Sequence, residues 1–176
     1  MRGLITQKTT AVVSLGYVNA FYSNGVSTGG FLGSTYVDLQ ATITPTMLSR
    51  VILGYHQDFT NSVISAFFYD NSVYGSYVQQ IAGRFAFDLS ARFSHRRYQG
   101  LLFDPTGTRD DNIFIAGAMF DYFIRNWAYC GVGYSLVSNF SDYRLPAGMD
   151  AMGNIVPGQP VDYVKHQVFA RLGITY

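Results

Sequence analysis

The sequence has few charged residues, a single cysteine and no long hydrophobic run. Charged residues make up 13% of the 176 residues, whereas hydrophobic residues make up 48% and aromatic residues 16%. No stretch approaches the roughly 18 to 20 consecutive apolar residues that a membrane helix requires, because polar residues interrupt every apolar run. The composition therefore excludes a helical membrane protein, while it predicts a surface unusually poor in charge.

Other absences narrow the functional class further. The twelve Lys and Arg residues are scattered and the net charge is +1, so no basic nucleic-acid-binding surface is indicated. Cys130 is the only cysteine, which excludes an intramolecular disulfide, and it has no Cys or His at metal-ligand spacing. Residues 1–10 contain no apolar core of about 7 to 15 residues. No signal peptide is therefore expected in this sequence, so an export signal has been removed or the chain is a fragment.

The sequence does contain apolar and polar residues that alternate with period two over segments of roughly ten residues. Membrane strands show this pattern when one face meets lipid and the other meets the lumen. Residues 31–43 and 167–176 alternate in this way, and residues 85–97 show it most clearly. In that segment the apolar positions are Phe85, Phe87, Leu89, Ala91 and Phe93, and the polar positions are Asp88, Ser90, Arg92, Ser94 and Arg96.

Weaker alternation brings the number of predicted strands to eight. These additional strands lie near residues 10–22, 48–58, 73–82, 113–124 and 128–139. Long connections are predicted at 23–30, 58–72, 99–112 and 141–162, and short turns at 44–47, 82–84 and 125–126. Aromatic residues near the two strand ends would form interfacial girdles, namely Phe123, Trp127, Tyr129 and Tyr176 at one rim and Tyr98 and Phe140 at the other.

These patterns predict an all-β fold, an antiparallel up-and-down transmembrane β-barrel of about eight strands that occupies residues 1–176 as one domain. An even strand count would place both termini on the periplasmic side. The alternative is a soluble lipocalin-like barrel with the apolar residues inside. It is less favoured, since Asp, Arg and Ser would then coat the outside.

The last predicted strand resembles the C-terminal signal that the outer-membrane assembly machinery reads. It ends at an aromatic residue, Tyr176, with Ile174 and Leu172 two and four positions before it. Such a strand offers an edge that a partner barrel can template by β-augmentation. An ordinary final strand is the alternative interpretation.

Several segments resemble, in order and spacing, the outer-membrane β-barrel porins associated with exopolysaccharide export. They are residues 83–90, 95–98, 109–112, 125–127 and 161–163, and the resemblance covers roughly residues 45–176. It implies a Gram-negative outer-membrane location and a conduit for polysaccharide. Members of that family have roughly twice as many strands, however, and eight strands enclose little more than side chains. A conduit would therefore require missing N-terminal strands or several chains that share one wall.

The inward positions of the predicted strands are rich in charge. In a narrow barrel these groups would pair into a salt-bridged core, whereas in a wide barrel they would line water and select solutes. Gly117, Gly131 and Gly133 are also predicted to face inward, where small residues make room for bulky neighbours. The predicted lumen-lining charged residues are Asp38, Arg50, His56, Asp88, Arg92, Arg96, Asp121, Lys165 and Arg171.

No pattern indicates catalysis, a cofactor or a metal. His95 and His166 fall on the predicted lipid face and His56 faces inward, and none shows a convincing arrangement with a nucleophile and a base. Asp104, Asp110 and Asp111 match no calcium-loop spacing and are interpreted as a solvated acidic loop. The first hypothesis is a porin or transport barrel, the second a small adhesion barrel that binds through its loops, and the third a lipid-modifying enzyme.

Overall fold

The protein's structure, a computed structural model, describes residues 2–17, 35–101, 108–125, 127–144, 148–149, 155–156 and 158–174. Regular structure in these residues is entirely β. The strands are β1 (Arg2–Thr6), β2 (Thr9–Tyr17), β3 (Thr35–Thr46), β4 (Ser49–Asn61), β5 (Ser65–Ile81), β6 (Phe85–Leu101), β7 (Thr108–Arg125), β8 (Ala128–Ser141), β9 (Gly148–Met149), β10 (Ile155–Val156) and β11 (Tyr163–Ile174). The predicted loop at 23–30, Phe31, Asp104 and Tyr176 lie outside the described residues.

Nine of the strands form one antiparallel up-and-down sheet. Their order is β1-β2-β3-β4-β5-β6-β7-β8-β11, and β9 pairs separately with β10. The predicted all-β antiparallel architecture is confirmed, but the sheet has nine strands rather than about eight. The additional strand, β1, pairs with β2 so that Gly3 lies opposite Ala11. With five residues, β1 is too short for an alternating period to reveal it.

The predicted long connection at 58–72 is wrong. β4 continues to Asn61 and β5 begins at Ser65, so only residues 62–64 join them. The polar residues that indicated a loop have partners within the strands. Asp70 accepts a hydrogen bond from Arg96 at 3.1 Å, and Asn71 accepts one from the Tyr55 hydroxyl at 3.1 Å.

The predicted connection at 99–112 is too long by several residues at both ends. β6 reaches Leu101 and β7 begins at Thr108, because the Arg97 guanidinium bonds to the Asp110 carboxylate across the two strands. The connection predicted at 141–162 holds the small β9–β10 pair. The turn predicted at 82–84 is confirmed, and its Ala82 has a φ of 51°, in the left-handed region.

The two faces of the sheet differ in chemistry. Directly opposite residues of an antiparallel pair share a face, so the register of the strands assigns each side chain to one face. One face, here called the apolar face, exposes large hydrophobic side chains such as Leu53, Leu89 and Val132. On β6 its apolar positions run from Phe85 to Phe93, which is about 26 Å along the strand.

A polar row ends this apolar band, and the strands continue beyond it. The row contains Asn71, His95 and Asn112, which lie opposite one another on β5, β6 and β7. The buried hydrophobic residues among those described, Phe67, Tyr98 and Leu101, all lie at or past this row. Within the band the described sheet is a single layer without a second layer packed on it.

The two ends of the sheet also differ. The short-turn end carries the tight β1–β2, β3–β4, β5–β6 and β7–β8 connections, and at the opposite end residues 62–64 join β4 to β5. Because nine antiparallel strands reverse direction eight times, β1 and β11 run the same way. Residues 2 and 174 therefore lie at opposite ends of the sheet, so the even strand count behind the prediction of co-located termini does not hold. The part of the chain that the structure describes has no helix long and apolar enough to span a membrane.

Candidate functional site: the charged face

All nine charged residues predicted to line a lumen lie on one face of the sheet, here called the charged face. Asp38 lies opposite His56. Arg50 lies opposite Val78, which in turn lies opposite Asp88, so Arg50 and Asp88 share a face. The register carries the same face to the remaining strands. The full set on this face is Asp38, Arg50, His56, Asp88, Arg92, Arg96, Asp121, Lys165 and Arg171. That this face lines a lumen stays a prediction.

Arg171 and Asp121 form a two-point ion pair that crosses three strands. Arg171 on β11 donates from Nε to Asp121 Oδ1 at 2.9 Å, and a second nitrogen bonds to Oδ2. Gly131 on β8 lies between them, and a Cβ at that position would collide with the Asp121 carboxylate. The Arg171 guanidinium also lies 5.5 Å from the centre of the Tyr129 ring. Glycine is therefore required for this bidentate contact, which is the strong geometry for arginine and carboxylate.

A second cluster on β5 and β6 shares one carboxylate between two arginines. Asp70 lies 3.1 Å from an Arg96 nitrogen and 3.6 Å from an Arg92 nitrogen. Arg92 also donates to the Ser72 hydroxyl at 2.9 Å, and Arg96 lies over the Phe68 ring. The Asp70 side chain is 11% exposed, whereas the Arg92 side chain is 41% exposed. One carboxylate against two guanidinium groups leaves this part of the face net positive.

The third cluster surrounds His56. Its two ring nitrogens lie 3.9 Å from Asp38 and 4.0 Å from Asp58, and the Tyr36 ring packs edge-on against it. The sequence prediction missed Asp58 and Asp70 because both fell in the predicted loop at 58–72. The alternation with period two could have identified Asp58, because this residue follows His56 by two positions and so continues the inward positions of β4.

The other three of the nine predicted residues have no ion-pair partner among the described residues. Within the described ranges, Arg50, Asp88 and Lys165 take part in none of the salt bridges. The fully paired core expected for a narrow barrel is therefore not what this face shows. Its exposed charges are available to solvent.

The predicted packing role of the inward glycines is seen directly. A Cβ on Gly133 would lie 2.5 Å from the end of the Phe169 ring, and one on Gly117 would lie 2.9 Å from the Ser90 hydroxyl. Both glycines lie on the charged face, as predicted. Cys130, on the apolar face opposite Leu172, is free.

Asp110 and Asp111 are not a solvated acidic loop, because both lie in β7 with arginine partners. Asp110 accepts bonds at 2.7 and 2.9 Å from Arg97, and these hydrogen bonds lower the pKa of the Asp110 carboxyl. Asp111, on the opposite face, accepts bonds at 2.8 and 2.6 Å from Arg109. Burial alone would lower the pKa of Arg109, but hydrogen bonding to Asp111 and the charge of that carboxylate raise it overall. The described residues contain no cluster of three or more His, Cys, Asp or Glu that could hold a metal.

The histidines of the apolar face contact polar side chains of the neighbouring strands. His95 Nδ1 lies 3.0 Å from the Asn112 amide oxygen, and His166 Nδ1 lies 2.8 Å from the Tyr134 hydroxyl. Both residues lie on this face, as predicted. Leu172 and Ile174 of the predicted assembly signal are also exposed there.

Comparison of the chain with protein-family models, with curated proteins and with solved structures found no match.

Proposed function

We propose that this sheet is the wall of a bacterial outer-membrane β-barrel of porin or transport type. In this proposal the apolar face contacts lipid and the charged face lines a water-filled lumen. The observation that carries it is the separation of the two faces: the nine charged residues share one face, while the other exposes a continuous apolar band. A single-layer sheet with such a band is suited to lipid, where strand pairing satisfies the backbone and apolar side chains need no protein cover.

The height of the apolar band supports a membrane location. The apolar positions of β6 cover about 26 Å along the strand, which at a tilt of about 40° corresponds to roughly 20 Å of membrane thickness. This stretch ends in an aromatic residue on each side, Phe85 and Phe93, and its height is close to the roughly 25 Å typical of outer-membrane barrels.

Steric crowding supports the charged face as the concave side. A Cβ placed on Gly54, Gly131, Gly133 or Gly173 would collide with a side chain of the neighbouring strand, and all four glycines lie on the charged face. Side chains converge on the inside of a curved sheet, so small residues are needed there. A lipocalin-like barrel requires the opposite curvature.

The exposure of the charged face favours a wide lumen. The side chains of Arg92 and Arg171 are 41% and 46% exposed, although a narrow barrel would bury them. An aqueous channel requires about 16 strands, so we propose that further barrel-forming chains complete the wall. The resemblance to exopolysaccharide-export porins suggests polysaccharide as the solute. The barrel-assembly machinery, reading the final strand with Leu172 and Ile174, would insert the chain.

Planar-bilayer conductance tests the transport function. We expect wild-type protein to form stable pores, and Arg92→Gln to shift their ion selectivity toward cations because it removes an exposed positive charge from the lumen. Arg97→Gln is the matched control, since Arg97 lies on the other face beyond the apolar band. Protein that is folded and inserted but conducts no current would refute the porin function.

A second candidate is a barrel that binds an extracellular partner through its loops. The observation in its favour is that β5, β6 and β7 continue past the apolar band and bury Phe67, Tyr98 and Leu101 there, so packed residues lie beside the connections at this end. Silent bilayers combined with cell adhesion that is lost when residues 145–157 are deleted would favour this function over transport.

A further inference from the structure

The two ends of the sheet differ in charge. Lys8, Arg84 and Arg125 lie in or beside three of the four tight connections of the short-turn end, and no acidic residue accompanies them. The nearest carboxylates along the same strands, Asp88 and Asp121, each lie four residues away from Arg84 and Arg125. At the other end, acidic and basic residues are mixed and paired.

The three cations have no carboxylate partner in the described part of the chain. Every salt bridge there involves other residues. Lys8 donates one hydrogen bond to the Pro45 carbonyl at 3.0 Å, and an ammonium group has further donors available. All three residues are exposed, so they present positive charge outward from the end of the sheet.

Exposed apolar side chains lie at the same end of the sheet, Met47 and Leu48 in the β3–β4 connection and Trp127 beside Arg125. Met47 is fully exposed, Trp127 is 56% exposed and Leu48 is 48% exposed. Water would disfavour such side chains, whereas the headgroup region of a bilayer accommodates aromatic and long apolar residues beside Lys and Arg. A rim that carries both cations and apolar side chains fits the headgroup region of a bilayer. Its phosphate groups can bind the cations, and the adjoining acyl chains can contact the apolar side chains.

We propose that this short-turn rim, Lys8, Arg84 and Arg125 with Met47 and Trp127, binds the phosphate groups of anionic phospholipids and seats this end of the sheet in an anionic leaflet. The inference rests on the proposed membrane function, because it requires the adjoining apolar band to be in lipid. Each Lys or Arg near an anionic surface strengthens binding about five-fold, so three give about 100-fold at low salt.

Refolding from urea into two kinds of vesicle tests the inference. One vesicle contains phosphatidylcholine only, and the other contains 30% phosphatidylglycerol by design, with insertion followed by the fluorescence of Trp127, the only tryptophan. We expect wild type to bind the anionic vesicles about 100-fold more tightly at low salt, with the difference shrinking in high salt. The triple variant K8Q/R84Q/R125Q should lose this preference, and K8R/R84K/R125K should keep it.

A control removes three charges from the other end, as R97Q/R109Q/R144Q, and should retain the preference. Equal binding of wild type to both vesicles, or a preference that survives in the triple variant, would overturn the rim inference while leaving the membrane-spanning sheet intact. A preference for vesicles with lipopolysaccharide over those with phosphatidylglycerol would overturn it as well. Failure of wild type to insert into either vesicle would refute the proposed membrane function itself, and the inference with it.

Discussion

Replacing Leu89 with arginine tests whether the apolar face contacts lipid. Leu89 lies at the centre of the apolar stretch of β6, four residues from Phe85 and four from Phe93, and its side chain is exposed between Tyr77 and Ala118 on the neighbouring strands. Four residues correspond to about 13 Å along a strand, or about 10 Å of depth at a tilt near 40°. The substitution therefore places a guanidinium group near the bilayer midplane.

The expected cost follows from this depth. Arginine on the lipid face of a barrel costs about 2–4 kcal/mol at the midplane and about 0–1 kcal/mol near the interface. Leu89→Arg should therefore raise the unfolded-to-folded ratio roughly 30- to 800-fold in vesicles. The matched control is His95→Arg. His95 lies on the same face of β6, six residues beyond Leu89 and in the polar row, so the substitution should cost less than about 1 kcal/mol.

Guanidinium titration of both variants in vesicles, monitored by tryptophan fluorescence, gives the two free energies of unfolding. On a water-exposed sheet the two arginines would cost similar amounts, since both positions are at least partly exposed and an arginine side chain could reach water from either. A Leu89→Arg cost no larger than that of His95→Arg would therefore refute the placement of this face in lipid.

Three further predictions follow from single contacts. Gly131→Ala should destabilise the fold by about 1–3 kcal/mol in denaturant titrations, because the added methyl group displaces Asp121 from its arginine, whereas Gly3→Ala, with open space around it, should change stability little. Asp110→Asn should cost less than about 1 kcal/mol at pH 7, and this difference from wild type should vanish as the pH falls through the lowered folded pKa of Asp110, since the carboxylate contributes only when ionised. A nitroxide on Cys130 in vesicles should collide more often with oxygen than with a water-soluble nickel complex, and the reverse ratio in power-saturation measurements would contradict the contact of the apolar face with lipid.

The alternating period predicted the sheet and the assignment of side chains to faces, because both depend on residue parity within a strand. This is why residues as distant as Asp38 and Arg171 were assigned to one face without knowledge of their neighbours. Strand ends were predicted less well, because polar residues such as Asp58 and Asp70 indicate loops when considered alone. Such residues are stable in a strand when they have a partner on the neighbouring strand, and the register decides which residue that is. For Asp70 the partner is Arg96, which lies directly opposite.

The ion pairs of the charged face could not be predicted from the sequence either. Arg171 and Asp121 are separated by 50 residues, and their contact depends on the absence of a side chain at Gly131 on the strand between them. Inward glycine was predicted to make room, but which residue would use that room depends on the order and register of β7, β8 and β11. Amino-acid composition specifies neither the order of the strands nor their register.

The odd number of strands constrains how this sheet can be closed into a ring. Because β1 and β11 run in the same direction, any seam that joins them, within one chain or between identical chains arranged around a membrane normal, must be a parallel ladder in an otherwise antiparallel wall. Parallel ladders have slanted hydrogen bonds and are slightly less stable per residue. In a ring closed by this seam, the parallel joint between β1 and β11 would be weaker per residue than the rest of the wall, so opening or subunit exchange would begin there.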